Sequence, residues 1–258
     1  MSLVEYSLAD HVVVIRLNRP ERLNAMSPAM GEELIEAFRR FNADDHAWVG
    51  ILTGTGRAFC AGRDMKEQAE GFAGDGGKVR GREYTSERNM FTLSDTDKPL
   101  IAAVNGFAIG QGWYMTVGCD IRIAASGAEF AMGEVPTGVL GPYWLASAEM
   151  LPWPIAVEFA ILGERVRAER LLACGLLNAV VPEPELMDEA HRWAEKLVRL
   201  PPRHVRATKA LMLATRSLPG PDILAREREV RDQLAELADS KEAVLAWMQK
   251  RPPVFRGA

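Results

Sequence analysis

The chain has 258 residues, 48% of them hydrophobic, with a formal net charge of −4. This is enough apolar material to bury a core without disulfides or metal, and the acidic balance excludes a global field that would draw the chain to nucleic acid or a membrane surface. Cys60, Cys119 and Cys174 are far apart and form no CxxC pair, so neither a zinc site nor a disulfide framework is indicated. The N-terminus has no basic segment leading an apolar one, and no stretch approaches the roughly 18 apolar residues of a membrane span. A cytoplasmic protein is expected.

In chain order, the first predicted element is a strand at residues 11–17 (HVVVIRL), β-branched, apolar and stopped by Asn18-Arg19-Pro20. Ser27 and Pro28 then open a helix as N-cap and first helical residue. Met30, Leu34, Ala37, Phe38 and Phe41 follow at helical spacing. Further strands are predicted at 48–53 (WVGILT), at 100–104 (LIAAV, wholly apolar and so buried on both faces) and at 121–125 (IRIAA). Strands alternating with helical segments argue for an α/β fold with a substantial parallel sheet. Residues 71–81 (GFAGDGGKVRG) predict a mobile loop. From about residue 188 the pattern is helical, with breaks at Pro201-Pro202 and at 217–221. The expected division is a core over 1–195 and a C-terminal helical region over 196–258.

Three segments carry candidate chemistry. Ala58 to Lys66 (AFCAGRDMK) has small residues at 61 and 62, which let a ligand approach the backbone; a plain strand-to-helix turn has the same pattern. Val104 to Gly112 (VNGFAIGQG) is a strand and a Gly-spaced turn opening a helix, whose first amides suit an anion. It is not a dinucleotide fingerprint, because no third glycine stands at 115, and there is no phosphate-loop Gly-Lys-Ser/Thr. Glu134 sits in an apolar, Gly-flanked run, FAMGEV at 130–135, and on its own is equally a solvated loop residue. His11, His46, His191 and His204 lie outside these segments and read as structural or surface residues. No Gly-x-Ser-x-Gly elbow is present, which disfavours a serine hydrolase.

Together these segments resemble the signatures of the enoyl-CoA hydratase/isomerase (crotonase) superfamily. The likeness includes Asn18-Arg19-Pro20 leading to Asn24-Ala25, Phe59 with Ala61-Gly62 and Asp64, Val104-Asn105-Gly106 with Ala108 and Gly110, and Cys119-Asp120-Ile121. It also includes a last helix over residues 241–251, and it extends over roughly residues 4–256. The resemblance implies a spiral of ββα units followed by a helical trimerisation region, giving a homotrimer or dimer of trimers. It implies an acyl-CoA substrate, with coenzyme A part of that substrate and no permanently bound cofactor or metal. It implies an oxyanion hole made by the backbone N–H groups of Arg63 and Gln111, although the family usually has Gly where Gln111 stands. Of the two family glutamates, the second matches Glu134, while Tyr114 replaces the first. Coenzyme A contacts carry over to Arg22, Leu23, Arg57, Lys66, Trp247 and Lys250. Asp64 is expected to order the oxyanion loop rather than react. The implied activity is enoyl-CoA hydratase/isomerase chemistry through a thioester enolate. Thioester hydrolysis, C–C cleavage and a non-catalytic acyl-CoA-binding or RNA-associated role are the alternatives, the acidic balance speaking against RNA.

Overall fold

The computed structural model describes residues 2–64, 96–136, 144–215 and 220–258. The loop predicted at 71–81, Lys66, and residues 137–143 beyond Glu134 lie outside the described residues. Strands β1 (Val4–Ala9) and β2 (Val12–Leu17) form an antiparallel hairpin. Its two turn residues, Asp10 and His11, have φ of 47° and 66°. Positive φ at both central positions gives a turn whose twist suits paired strands. The predicted strand at 11–17 therefore starts one residue later, and His11 belongs to the turn. Helix α1 (Pro28–Ala43) begins as expected: the Ser27 hydroxyl accepts a hydrogen bond from the Met30 N–H at 3.2 Å, and Pro28 occupies the first turn. Its buried residues are the five predicted ones. At the other end, the buried Lys98 ammonium donates to the carbonyls of Phe41 (2.6 Å) and Asp44 (2.7 Å), satisfying acceptors that a helix end leaves without partners.

The middle of the chain repeats one pattern. A long strand of the central sheet turns a corner into a short strand of a second sheet: β3 (Val49–Gly54) into β4 (Ala58–Cys60), β5 (Leu100–Val104) into β6 (Phe107–Ile109), and β7 (Ile121–Ala125) into β8 (Glu129–Ala131). Helix α2 (Gln111–Gly118) follows β6. Helices α3 (Trp144–Met150) and α4 (Trp153–Val157) come after β8, and α4 runs into a π-helical turn at Glu158–Leu162. Strand β9 (Val166–Arg167), helix α5 (Ala168–Ala173) and strand β10 (Ala179–Val181) complete the sheets. Among the described residues the central sheet has the order β1-β2-β3-β5-β7-β10, parallel from β2 onward, and the second has the order β4-β6-β8-β9.

Both faces of the central sheet are covered, as the apolar run of β5 requires. Leu100, Ala102 and Val104 join α1, α2 and the second sheet in one core, while Ile101 and Ala103 face helix α6 (Leu186–Val198) through Leu186, Ala190 and Ala194. Helices α7 (Pro202–Ala214), α8 (Gly220–Ala235) and α9 (Ala238–Gln249) form the C-terminal region. Among the described residues, no helix is long and apolar enough to cross a membrane.

Candidate active site

The second sheet ends where its three parallel strands deliver Ala61-Gly62, Gly110 and Glu134 to one place. Gly110 follows β6, and its N–H donates to the Ala131 carbonyl at the end of β8 at 2.9 Å. This bond holds the turn beside the chain that leads to Glu134. Gly110 has φ 51° and ψ −105°, a conformation open to glycine and costly for other residues. A Cβ there would stand 2.9 Å from Glu134 Oε1, so the missing side chain is also the space that the carboxylate occupies. Because Gly110 takes the unusual dihedrals, Gln111 keeps an ordinary negative φ and opens α2 as its first residue, where the backbone N–H lies beyond the helix's own acceptors.

Gly62 completes the approach. It has φ 96°, and a Cβ built on it would lie 3.1 Å from the Ile109 carbonyl and 4.0 Å from the Gln111 nitrogen. The segment after β4 also forms a parallel bridge, Met26 to Arg63, in which the Met26 N–H donates to Gly62 (2.7 Å) and the Asp64 N–H donates to Met26 (3.1 Å). Successive N–H groups in extended chain point to opposite sides, so the Arg63 N–H is turned away from Met26. The loop is fixed from below by the Arg19 guanidinium, which donates to Asp64 Oδ2 at 2.8 Å and to the Ala25 carbonyl at 3.2 Å. Asn24 is fully buried and bridges the Arg19 N–H to the carbonyls of Thr55 and Ala58. Asn105 ties the next corner, accepting from Gly54 N–H and donating to Gly56 and Ala58 carbonyls. Asp64 thus ties this loop to Arg19.

Burial raises the Glu134 carboxyl above the ordinary carboxylate range, opposed by a hydrogen bond from its own backbone and by the positive charge of Arg63. In the sequence, Phe130 and Val135 are the large apolar neighbours of Glu134. Phe130 is fully buried, whereas Val135 is 47% exposed. Tyr114 lies on α2, its N–H bonded to the Gly110 carbonyl at 2.9 Å and its side chain packed partly into the main core. Trp113, beside it, is completely buried against Phe130 and Phe159. Beneath the loop Cys60 is fully buried, and burial pushes its thiol up to about 12.

The remaining expected contacts divide. Leu23 has φ 53°, and its carbonyl accepts from Ala61 N–H at 3.0 Å, so its main chain borders the loop; Arg22, next to it, is exposed. Arg57 stands at the opposite end of β4, where with Arg16, Asn105 and Glu183 it lines a separate cavity of about 470 Å³. Trp247 and Lys250 are exposed at the end of α9, a helix packed against α8. Arg19 and Asn24 enter the sequence reading only as parts of a motif. Their bracing role has one local signal, an Asn in the left-handed conformation shortly after a Pro, and the partner of Arg19 is 45 positions away.

Comparison with known proteins gives a consistent result. A family model described as enoyl-CoA hydratase/isomerase matches residues 8–258. The (E)-benzylidenesuccinyl-CoA hydratase of Thauera aromatica is 32% identical, with 99% of each chain covered. The carnitinyl-CoA dehydratase of Escherichia coli K12 is 34% identical, with 95% of each covered. The crystal structure of an enoyl-CoA hydratase from Mycobacterium tuberculosis H37Rv superposes with a TM-score of 0.90 at 31% identity, covering 99% of both chains.

Proposed function

The chain belongs to the enoyl-CoA hydratase/isomerase family and is an acyl-CoA-processing enzyme, and from that premise we propose that it works through a thioester enolate, with Glu134 as acid and base. The observation that carries the reading is the convergence of Gly62, Gly110, Gln111 and Glu134 Oε1 within a few ångströms. The N–H groups of Arg63 and Gln111 are the two donors for the thioester oxygen. Fixed donors in a site shielded from water stabilise the charge that develops there, and losing one costs about 2.7–4 kcal/mol in comparable sites.

In hydration, the Glu134 carboxylate takes a proton from water as the oxygen bonds to the β-carbon. The electron pair of the double bond shifts between the α-carbon and the carbonyl carbon, and the carbonyl pair moves onto the thioester oxygen to give the enolate. Glu134 then returns the proton to the α-carbon, and the enolate collapses to the saturated hydroxyacyl thioester. In double-bond migration, the same group removes a proton from one carbon and restores it to another. One raised carboxyl suits both, because it must take and give a proton near neutral pH. Tyr114 carries a phenol, which by its chemistry is a weak base and a good hydrogen-bond partner for an attacking water. The relatives named as a hydratase and a dehydratase support hydration and its reverse. Coenzyme A is held by the Leu23 main chain and by Arg22, Lys66, Trp247 and Lys250, the last two reaching a site across a trimer built by residues 196–258, while Arg57, which lines the separate cavity at the other end of β4, drops out of this set. A cytoplasmic location accompanies this reading.

The test is α-carbon exchange in deuterated water, followed by mass spectrometry on saturated, 2-enoyl, 3-enoyl and aromatic CoA thioesters. Exchange and turnover of a 2-enoyl thioester, both lost in Glu134→Gln, are expected. A variant that exchanges as fast as the parent removes Glu134 from the role.

A further inference from the structure

Between α4 and β9 the chain makes its π-helical turn, Glu158–Leu162, and leaves it through Gly163 in the left-handed conformation, with φ 65° and ψ 19°. Turns of this kind are rare and occur frequently beside functional sites. Here the turn bears on both halves of the candidate site. At its exit, Gly163 packs against the segment that carries Glu134. A Cβ on Gly163 would stand 2.6 Å from the Met132 carbonyl, and 2.6 Å and 2.9 Å from Cγ and Cδ of Pro136. Met132 and Pro136 lie two residues before and two residues after Glu134, so the contact spans it. The positive φ of Gly163 is open to Asn as well as Gly, but this close approach is open to Gly alone. Met132 is held from another direction by Ser147 of α3, whose hydroxyl lies 3.1 Å from its sulfur. Inside the turn, buried Phe159 sets its ring 4.5 Å from that of Trp113. Trp113 is the neighbour of Tyr114 on α2. On the outer side, Glu158 accepts from both terminal nitrogens of the Arg170 guanidinium, at 2.6 Å and 2.7 Å, which fastens the turn to α5.

Resting on the reading of Glu134 and Tyr114 as the reacting groups, we infer that Gly163 and Phe159 are positioning residues: Gly163 seats segment 132–136 and with it the Glu134 carboxyl, and Phe159 seats Trp113 and with it Tyr114. The turn is a common reference for two side chains that arrive from different elements, α2 and the end of β8. Proton transfer and water attack on one thioester need both groups in register. A displacement of about 1 Å is enough to cost about 100-fold in rate.

The experiment compares Gly163→Ala with Gly175→Ala. Gly175 also has a positive φ, 77°, but a Cβ there meets nothing within 4 Å. Gly175→Ala thus carries the backbone strain without pressing on another segment, and it should lose Tm while keeping the parental kcat and pH profile. Gly163→Ala should lose about 100-fold in kcat and in α-carbon exchange, with KM within about threefold of the parent. The acidic limb of its kcat/KM should move to lower pH, because a displaced Glu134 loses the burial that raises its carboxyl. Phe159→Leu keeps an apolar side chain in the turn and gives a second route, independent of how well Gly163→Ala folds. It should slow hydration of a 2-enoyl thioester about tenfold more than α-carbon exchange on a saturated one, since exchange needs Glu134 and not Tyr114. A Gly163→Ala enzyme that matches Gly175→Ala in kcat and pH limb overturns the inference, as does a parental ratio of hydration to exchange in Phe159→Leu. A parent enzyme that exchanges no thioester overturns the enolate reading itself, which distinguishes the two failures.

Discussion

Gly110 and Glu134 are tied together more tightly than their distance in the chain suggests. Gly110→Ala forces a side chain into dihedrals it disfavours, about 1–3 kcal/mol of strain, and into the space of Glu134 Oε1, 2.9 Å away. The expected result is a lower urea midpoint together with loss of turnover; full activity at parental stability would remove the carboxylate from this turn. Glu134→Gln keeps the shape and removes proton transfer, so turnover should fall by roughly 10²–10⁴-fold with thioester affinity near normal. Tyr114→Phe should slow hydration more than isomerisation, measured on 2-enoyl and 3-enoyl thioesters. The raised Glu134 carboxyl has a pH consequence with a definite sign. The reaction needs its anion first, so the acidic limb of kcat/KM should sit above the ordinary glutamate value of about 4.3. The folded state also binds that proton more tightly than the unfolded chain. Stability is therefore lost as pH rises from the ordinary value through the raised one, and Glu134→Gln is spared that loss. Its Tm should match or exceed the parent's at neutral pH, with the difference closing below about pH 4.

At the scale of elements, the corners between the two sheets are held by buried polar contacts. Asp64→Ala removes the carboxylate 2.8 Å from the mostly covered Arg19 guanidinium, a loss that reaches about 3–5 kcal/mol only where such a pair is fully buried and so should be smaller here. Denaturant unfolding should show that loss for the single variant and a smaller one for Arg19→Met with Asp64→Leu. Equal losses would mean that the corner is held by something else. These corners also separate what the sequence states from what it conceals. Helix α1 was legible because Ser27, Pro28 and five apolar positions all agree with one helix. Strand β5 was legible because five apolar residues in a row have few other uses. Strands β4, β6 and β8 are each three residues long, too short for alternation to appear, and Gly-rich corners masked them as turns. Strand β1 was missed because Asp10-His11 lacks the glycine that usually marks a tight hairpin. The site's position at the second sheet's edge was consequently legible only through resemblance, and the exposure of Val135 was not legible at all.

At the scale of the whole molecule, the C-terminal region leaves apolar side chains uncovered. Trp247 is 81% and Met248 67% exposed, with Val244, Leu245, Leu224 and Val254 also open, and Trp153, Ile161 and Leu162 form a further exposed group after α3. Isolated exposed apolar residues are ordinary, but several on one region mark an interface. Light scattering should give a trimer or hexamer at micromolar concentration, and a chain ending near residue 200 should be insoluble. A monodisperse monomer would show that these faces serve another purpose. This expectation came from family resemblance; periodicity in α8 and α9 does not state which copy covers them.

The three thiols give the protein a built-in record of its own breathing. Cys60 and Cys119 are buried and pushed up to about 12, while Cys174 is partly exposed. At neutral pH an alkylating reagent should modify Cys174 promptly and wait for an opening to reach the other two. Cys60 lies directly under the loop and under Gly112, where an added Cβ would stand 2.2 Å from the Cys60 carbonyl. Its labelling rate therefore times the parting of the loop from α2. A saturating thioester that clamps those two segments should slow labelling at Cys60 more than at Cys119, so peptide-resolved mass spectrometry can follow site closure without any introduced probe.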